Sequence, residues 1–411
     1  MYRKFLCPIF SLLLFACLAN AQSHLQPGTW RGELTTKSGN TIPFVFDVRS
    51  IGTKQQIFIH NASERYKVSD VRQSGDSVFI RMPLFNSEFK LKLNAEGLKG
   101  SWIKHYGDND VAMAFHAEPG KNWRFFNDAG TPKYKLGGRW RAIFTEGNHA
   151  DTTVGEFAQV GSRVTGTFLT TTGDDRFLEG CIKDSKLYLS TFDGGHAFTF
   201  TADITDNNTL SNGLYYAGYT SVSEWTARRN AKANLPDAYS LTKLKPGYKK
   251  IAFTFSDING KKVSLNDPRF KNKVVIIQMM GSWCPNCMDE TNYLVNNYYK
   301  KYHAKGVEII GLAYERTTDF AKSKVTLQQM KTRFNVPYPL LITGYTPAAG
   351  EPVKSLPQLA NYMGFPTTII IDKQGNVSKI HTGFSGPGTG KHYTEFIAEF
   401  EKLTDNLLAE R

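Results

Sequence analysis

Cysteine is scarce in this 411-residue chain, which has only five. Cys7 and Cys17 fall in the first 21 residues, so Cys181, Cys284 and Cys287 are left for a folded body. A small disulfide-stapled scaffold uses many more at loop-rich spacings, and is excluded. After the N-terminal leader no apolar run is long enough for a transmembrane helix. Clustered positive charge is missing too: 50 Lys and Arg against 37 Asp and Glu give a formal charge of +13, but the basic residues are scattered. A nucleic-acid module would gather them on one face with stacking aromatics, so no nucleic acid is expected as a partner. What is present is a hydrophobic content of 41%, with 13% aromatic residues, enough for packed cores and unlike a disordered composition.

Arg3 and Lys4 precede "FLCPIFSLLLFACLA", an apolar run of about fifteen residues that is too short to span a bilayer comfortably. Ala19-Asn20-Ala21 offers the small-x-small pattern of a cleavage site. A signal peptide over 1–21, a mature start at Gln22 and an exported, periplasmic location follow. The alternative reads Leu14-Phe15-Ala16-Cys17 as an imperfect lipobox, which would anchor the chain to the envelope by lipid on Cys17.

Residues 22–228 read as all-β. Short alternating runs such as "TIPFVFDV", "FKLKLN" and "AFTFTADI" are separated by turn clusters such as "QSGD" and "TTGDD". A weak repeat at an offset of about 110 relates "GTWRGELTTKSGN" to "GRWRAIFTEGNHA", which predicts duplicated antiparallel halves over about 25–120 and 137–228. Five of the six tryptophans lie here and are expected to fill the core. Cys181, in "LEGCIKDSK", is expected to pack as a small buried apolar residue. The sequence names no ligand for this module.

Residues 229–248 carry two prolines and no clear periodicity, and read as a linker. From 249 to 411 the pattern changes. A hairpin turns at Asn259-Gly260. "KVVIIQMM" is an unbroken apolar run, as for a strand covered on both faces, and "GVEIIGLAY" is another. Helical spacing follows at 285–302, 320–334 and 391–409, and a short helix is expected over 355–363 with Ser355 as its cap. "PTTIIID" and "NVSKIHTG" form a second hairpin. The expected fold is an α/β domain with a mixed central sheet and helices on both faces, preceded by the all-β antiparallel module.

"GSWCPNCMDE" places Cys284 in the loop after a buried strand and at the start of a helix. Unpaired backbone N–H groups and the positive end of the helix dipole lie there, and both favour a thiolate. Cys287, one turn further in, is placed to close a small disulfide with it. Pro285 sits where a helix does not use its N–H. A zinc clip needs four ligands and one CxxC supplies two, so no metal is expected. A purely structural disulfide gains most from a long loop, and this one is tiny. A redox dithiol is the reading that remains strongest, and it needs no cofactor.

"FTFSDINGKKVSL", "VVIIQMMGSWCPNCMDE" and "GFPTTIIIDKQGNV" together resemble the thioredoxin superfamily, more narrowly its exported TlpA/ResA-like and CcmG-like thiol-disulfide oxidoreductases. The resemblance covers the C-terminal 40% of the chain. It implies that Cys284 is the nucleophile, that Cys287 is the resolving thiol, and that Pro366 follows a cis bond facing the dithiol. It also implies that Phe365 offers its backbone to an extended substrate segment and that Trp283 flanks the site with Pro285. Ordinary thioredoxins carry an acid where this chain has Gln278, and the exported relatives carry one where it has Glu290. That match, and the i to i+3 spacing from Cys287, assign proton transfer to Glu290; a surface glutamate is the alternative. The implied partners are disulfide-bearing exported proteins and a membrane-bound thiol electron donor, and the implied direction is reduction. An oxidase or isomerase, a peroxiredoxin-like peroxidase and a β-module binding protein with an accessory redox domain stay as alternatives. The peroxidase would want a Thr shortly before Cys284, and residues 280–283 lack one. Glu315 is expected as a solvated strand-end residue and His381 as a satisfied histidine.

Overall fold

The computed structural model describes residues 24–410 apart from 53, 107 and 108, so the expected signal peptide and Cys17 lie outside the described residues. Residues 28–119 form one nine-stranded antiparallel sheet and residues 138–229 another. In each, the first strand also pairs with the last: Gly28–Thr35 with Asn109–Pro119, and Gly138–Glu146 with Ser221–Arg229. The repeat extends to side chains. Trp30 and Trp140 are both buried, and each indole N–H donates to a carbonyl four residues back, Gln26 and Leu136, at 2.9 Å.

The units differ in closure. In the second, His149–Val160 also pairs with Arg163–Thr170, which closes the sheet on itself. In the first, the edge strands Glu64–Val68 and Asp70–Ser74 follow one another across Ser69, and no ladder joins them among the described residues. Strands such as Ser87–Asn94 alternate buried and exposed positions, the pattern of a sheet with one dry face. Trp102 and Trp225 are buried like Trp30 and Trp140, so four of the module's five tryptophans fill cores. Phe192 of the second unit enters the core of the first, stacked on Phe44 at 4.5 Å between ring centroids.

The third sheet has seven strands. Val274–Met280 lies between Val307–Ala313, its parallel neighbour, and Thr367–Ile371, its antiparallel one. All seven residues of Val274–Met280 are buried. Their side chains divide by the two-residue period of a strand: Val274, Ile276 and Met280 join one core cluster, and Val275, Ile277 and Met279 the other. The helices Pro285–Tyr293, Phe320–Phe334 and Lys391–Ala409 all feed the first cluster. The second is covered by Ile251, Phe253, Phe270 and residues around the five-residue helix Glu351–Ser355. Among the described residues, the expectation of helices on both faces is thus met on that side by this short element and the single 3-10 turn Pro268–Phe270.

The helix expected over 355–363 is corrected. Helix ends at Ser355, whose hydroxyl donates to Pro352 O, and the chain beyond it is drawn into a short ladder instead. Leu359 bridges Leu244, with Lys245 N–H donating to Gln358 O and Ala360 N–H to Lys243 O. Residues 229–248 therefore carry packing of their own. Leu235 and Ala233 rest on Val154 and Leu169, and the Thr242 and Thr382 hydroxyls meet at 2.8 Å.

Candidate functional site

The strand Val274–Met280 delivers the chain to Gly281, Ser282 and Trp283, and the helix begins at Pro285. Cys284 is the N-cap, with an extended backbone, and its Sγ accepts from the N–H of Cys287 at 3.2 Å. That is the capping position, where a side chain answers an otherwise orphaned backbone donor. Cys284 and Cys287 are joined as a disulfide with Cα atoms 5.2 Å apart. Cys284 is 4% exposed and Cys287 is fully buried.

Phe365–Pro366 is a cis peptide bond. Thr367 pairs with Met279, so the bond lies at the end of the sheet from which the Cys284 loop leaves. The Trp283 indole N–H donates to Tyr314 O at 2.9 Å, and its ring meets Phe365 edge-on at 5.6 Å. Sequence-predicted Trp283, Pro285, Phe365 and Pro366 are thus gathered around the dithiol.

Glu290 is 1% exposed. Its carboxylate accepts from Gln278 Nε2 at 2.8 Å and from the Thr368 hydroxyl. Gln278 is itself oriented: the Thr291 hydroxyl donates to its carbonyl oxygen at 3.1 Å, which turns its amide N–H₂ toward Glu290 and the carbonyl of Cys287. Gln278 therefore ties the carboxylate to the backbone of the second cysteine. Burial pushes the acid up to about 7, against the two hydrogen bonds, which lower it. The roles of Gln278 and Thr368 were missed from sequence, where Gln278 registered only as a residue that cannot titrate.

Glu315 corrects an expectation. It is buried, not solvated, and accepts from the Ser282 N–H at 2.8 Å, the Ser282 hydroxyl at 2.6 Å and the Thr326 hydroxyl at 3.1 Å. It braces the loop two residues ahead of Cys284, and burial raises its pKa. His381 lies between the rings of Tyr239 and Phe396, both at 4.9 Å, and its Nδ1 has no partner. Burial holds it neutral, with a pKa of about 4. Cys181 is unpaired and half-buried, less enclosed than expected, and burial raises its thiol to about 11. Among the described residues no group of three His, Cys, Asp or Glu is placed to hold a metal ion.

The β units approach the dithiol closely, which no local sequence signal indicates. Asn286, between the two cysteines, pairs its side-chain amide with the backbone of Asp174, donating to the carbonyl at 3.2 Å and accepting from the N–H at 3.1 Å. Gly173 lies so close that a Cβ there would collide with the Asn286 amide, and one on Gly383 would stand 2.7 Å from Thr171 O. The Asp174 carboxylate accepts from Gly386 N–H at 2.7 Å. Buried Arg176 reaches Asp289 of the cysteine helix at 3.0 Å and Glu64 of the first β unit at 2.8 Å. Burial opposes its charge, but Asp289, Glu64 and Asp193 offset that and keep the guanidinium protonated. Leu84 and Phe85 of the first unit share a core cluster with both cysteines.

The Redoxin family model matches residues 245–395. Over 135 residues the chain is 32% identical to thiol-disulfide oxidoreductase ResA of Bacillus thuringiensis subsp. konkukian, which spans 33% of this chain and 68% of that protein. It is 31% identical over 148 residues to ResA of Geobacillus thermodenitrificans, spanning 35% and 74%. A solved thioredoxin-family thiol:disulfide interchange protein from Chlorobium tepidum is similar over 41% of this chain and 99% of its own, at 21% identity and a TM-score of 0.31. Through this part of its length, which holds the Cys284–Cys287 pair, the chain belongs to the ResA family of thiol-disulfide oxidoreductases.

Proposed function

We propose that this chain is an exported reductase of protein disulfides, with residues 1–21 as signal peptide, 22–228 as a duplicated β module, 229–248 as linker and 249–411 as the catalytic domain. In the reduced enzyme the Cys284 thiolate attacks one sulfur of a substrate disulfide, and the other sulfur leaves as a thiol after taking a proton. Cys287, deprotonated by Glu290, then attacks Cys284 in the mixed disulfide. The second substrate thiol departs and the Cys284–Cys287 bond closes, so two electrons pass to the substrate. A thiol donor, membrane-bound in this reading, returns them. Trp283, Pro285 and the backbone of Phe365 beside Pro366 hold the substrate segment.

The observation that carries this is the dithiol at a helix N-terminus with a buried acid tied to its second cysteine. The direction rests on balance. A dithiol oxidises others when its thiolate is strongly stabilised. Here the helix end favours the thiolate, but burial of both sulfurs and the nearby acid disfavour it, so the closed disulfide is preferred and electrons flow outward. The test is a Cys287→Ser protein exposed to exported proteins, alongside insulin reduction by the unmodified chain. Mixed disulfides on Cys284 together with insulin reduction support the reading. No adduct and no reduction would sink it, and adducts without reduction would point to oxidase or isomerase work.

A further inference from the structure

A cavity of about 200 Å³ opens where the first β unit meets the loop before Cys284. Ser282 and Trp283 form part of its wall, and Phe85, Lys104, Tyr106 and Arg316 face them. Its apolar surface comes from Phe85, Trp283, Val325 and Met330, and its charge is mostly positive. Lys104 is 4% exposed; it donates to Gly195 O, and its ammonium lies 4.8 Å from the Tyr106 ring centroid. Exposed Arg316 stands between two rings, 5.0 Å from Tyr106 and 4.8 Å from Trp283. Among the described residues neither cation has a carboxylate within ion-pair distance. The one acid in the wall, Glu315, is already taken by Ser282 and Thr326.

Arg316 is a ring-stacked cation, and Lys104 is a buried amine that desolvation lowers to about 7 with Asp193 partly offsetting it; with no carboxylate at ion-pair distance from either among the described residues, this apolar recess is a site where an anion would pair with Arg316 and favour the charged form of Lys104. Its wall includes Ser282 and Trp283, the two residues before Cys284. The Trp283 ring that carries Arg316 on its face also meets Phe365, the residue before the cis bond. A ligand reaching Cys284 past Phe365 has its neighbouring group over Trp283. The β units also leave little room for a bulky partner, since Asn286 and Gly383 are already in contact with residues 171–174.

We propose that the cavity selects the substrate: a narrow disulfide with a carboxylate beside the sulfur, bound by Lys104 and Arg316 while Cys284 attacks. This rests on the redox reading above and narrows it. Exchange follows the same balance, with the enzyme dithiol oxidised, the substrate S–S bond cleaved, and both substrate sulfurs leaving as thiols. Such a carboxylate can belong to a free small disulfide or to an acidic residue next to a cystine in an extended protein segment.

The test uses the reduced full chain and three disulfides of similar size: 3,3′-dithiodipropionate, 2-hydroxyethyl disulfide and cystamine. Rates are read from Trp fluorescence and divided by those of a small neutral dithiol, which removes intrinsic reactivity. The anionic probe should exceed the neutral one by about tenfold at low ionic strength, the cationic one should be slowest, and the spread should shrink as salt rises. Arg316→Gln, at an exposed position, and separately Lys104→Met should each compress the spread. A hexapeptide disulfide with Glu beside Cys, against its Gln counterpart, tells the sources apart: a preference there assigns a protein segment, and its absence alongside a dithiodipropionate preference assigns a small molecule. Equal normalised rates for all probes would overturn the inference and leave the redox reading standing. Failure of every probe to oxidise the dithiol would remove both.

Discussion

Asp289 and Glu290 are neighbours on the first turns of one helix, and they meet opposite surroundings. Asp289 faces the β units and is answered by a full cation, Arg176, which also holds Glu64. Glu290 faces the central sheet and is answered by two uncharged donors, Gln278 and Thr368. Burial, with the carboxylates of Asp174, Glu64 and Asp193 nearby, raises Asp289 to about 7 against the pull of Arg176, and its pairing with that cation fixes one surface to another. Glu290 is raised to about 7 as well, but with neutral donors and no cation to hold it in an ion pair it can pass a proton. Glu315 lies between these cases: three donors, one of them a backbone N–H, make it a brace for the loop before Cys284. What an acid does in this site is decided by which donors the fold supplies, and little by its distance along the chain from the cysteines.

Cys284→Ser should abolish disulfide exchange altogether, measured by insulin reduction, because it removes the attacking atom while leaving all three acids in place. Arg176→Met leaves Asp289, Glu64 and Asp193 without their shared cation and should cost about 3–5 kcal/mol of stability in denaturant unfolding. It should also speed alkylation of reduced Cys284 as the β units loosen from Asn286. If neither changes, the Asp289 pair is ornamental and the contrast with Glu290 fails.

Glu290→Gln keeps the shape and removes the titrating proton. We expect a loss of about a hundredfold in resolution of the mixed disulfide. It also carries a pH signature in stability. The pKa of Glu290 is raised on folding, so the stability it gives is fully present below its unfolded value of 4.5 and is lost as pH rises through about 7. Glu290→Gln does not ionise, so relative to the unmodified protein it should gain up to roughly 3 kcal/mol between pH 4.5 and pH 8. A stability difference that stays flat across that window would mean Glu290 does not titrate there. The smallest effect is expected from Glu315→Gln, about 1–2 kcal/mol from weakened bonds to Ser282 and Thr326, with the pH profile of exchange unmoved.

The redox part was legible in the sequence because its signals are local. An unbroken apolar run, a CxxC at a helix start and a turn-bounded hairpin each depend on residues close together, and Val274–Met280, Phe320–Phe334 and Lys391–Ala409 fall where periodicity puts them. The duplication in the β module was legible for a similar reason, through the Trp30 and Trp140 motifs. The helix expected at 355–363 was lost to a pairing with residues 243–245, over a hundred positions away, which no window could show. Glu315 was misjudged because its partners Ser282 and Thr326 come from two other elements. Arg176 and Asp174 carried no motif at all, and their importance exists only once the β units are folded against the cysteine helix.

The most direct measurement of the central claim is the pH dependence of mixed-disulfide resolution, followed by stopped-flow Trp fluorescence in the unmodified protein and in Glu290→Gln. The account predicts an inflection near pH 7 in the first that is missing from the second, with rates that converge at high pH, where Cys287 ionises unaided. Superimposable profiles from the two proteins would contradict it.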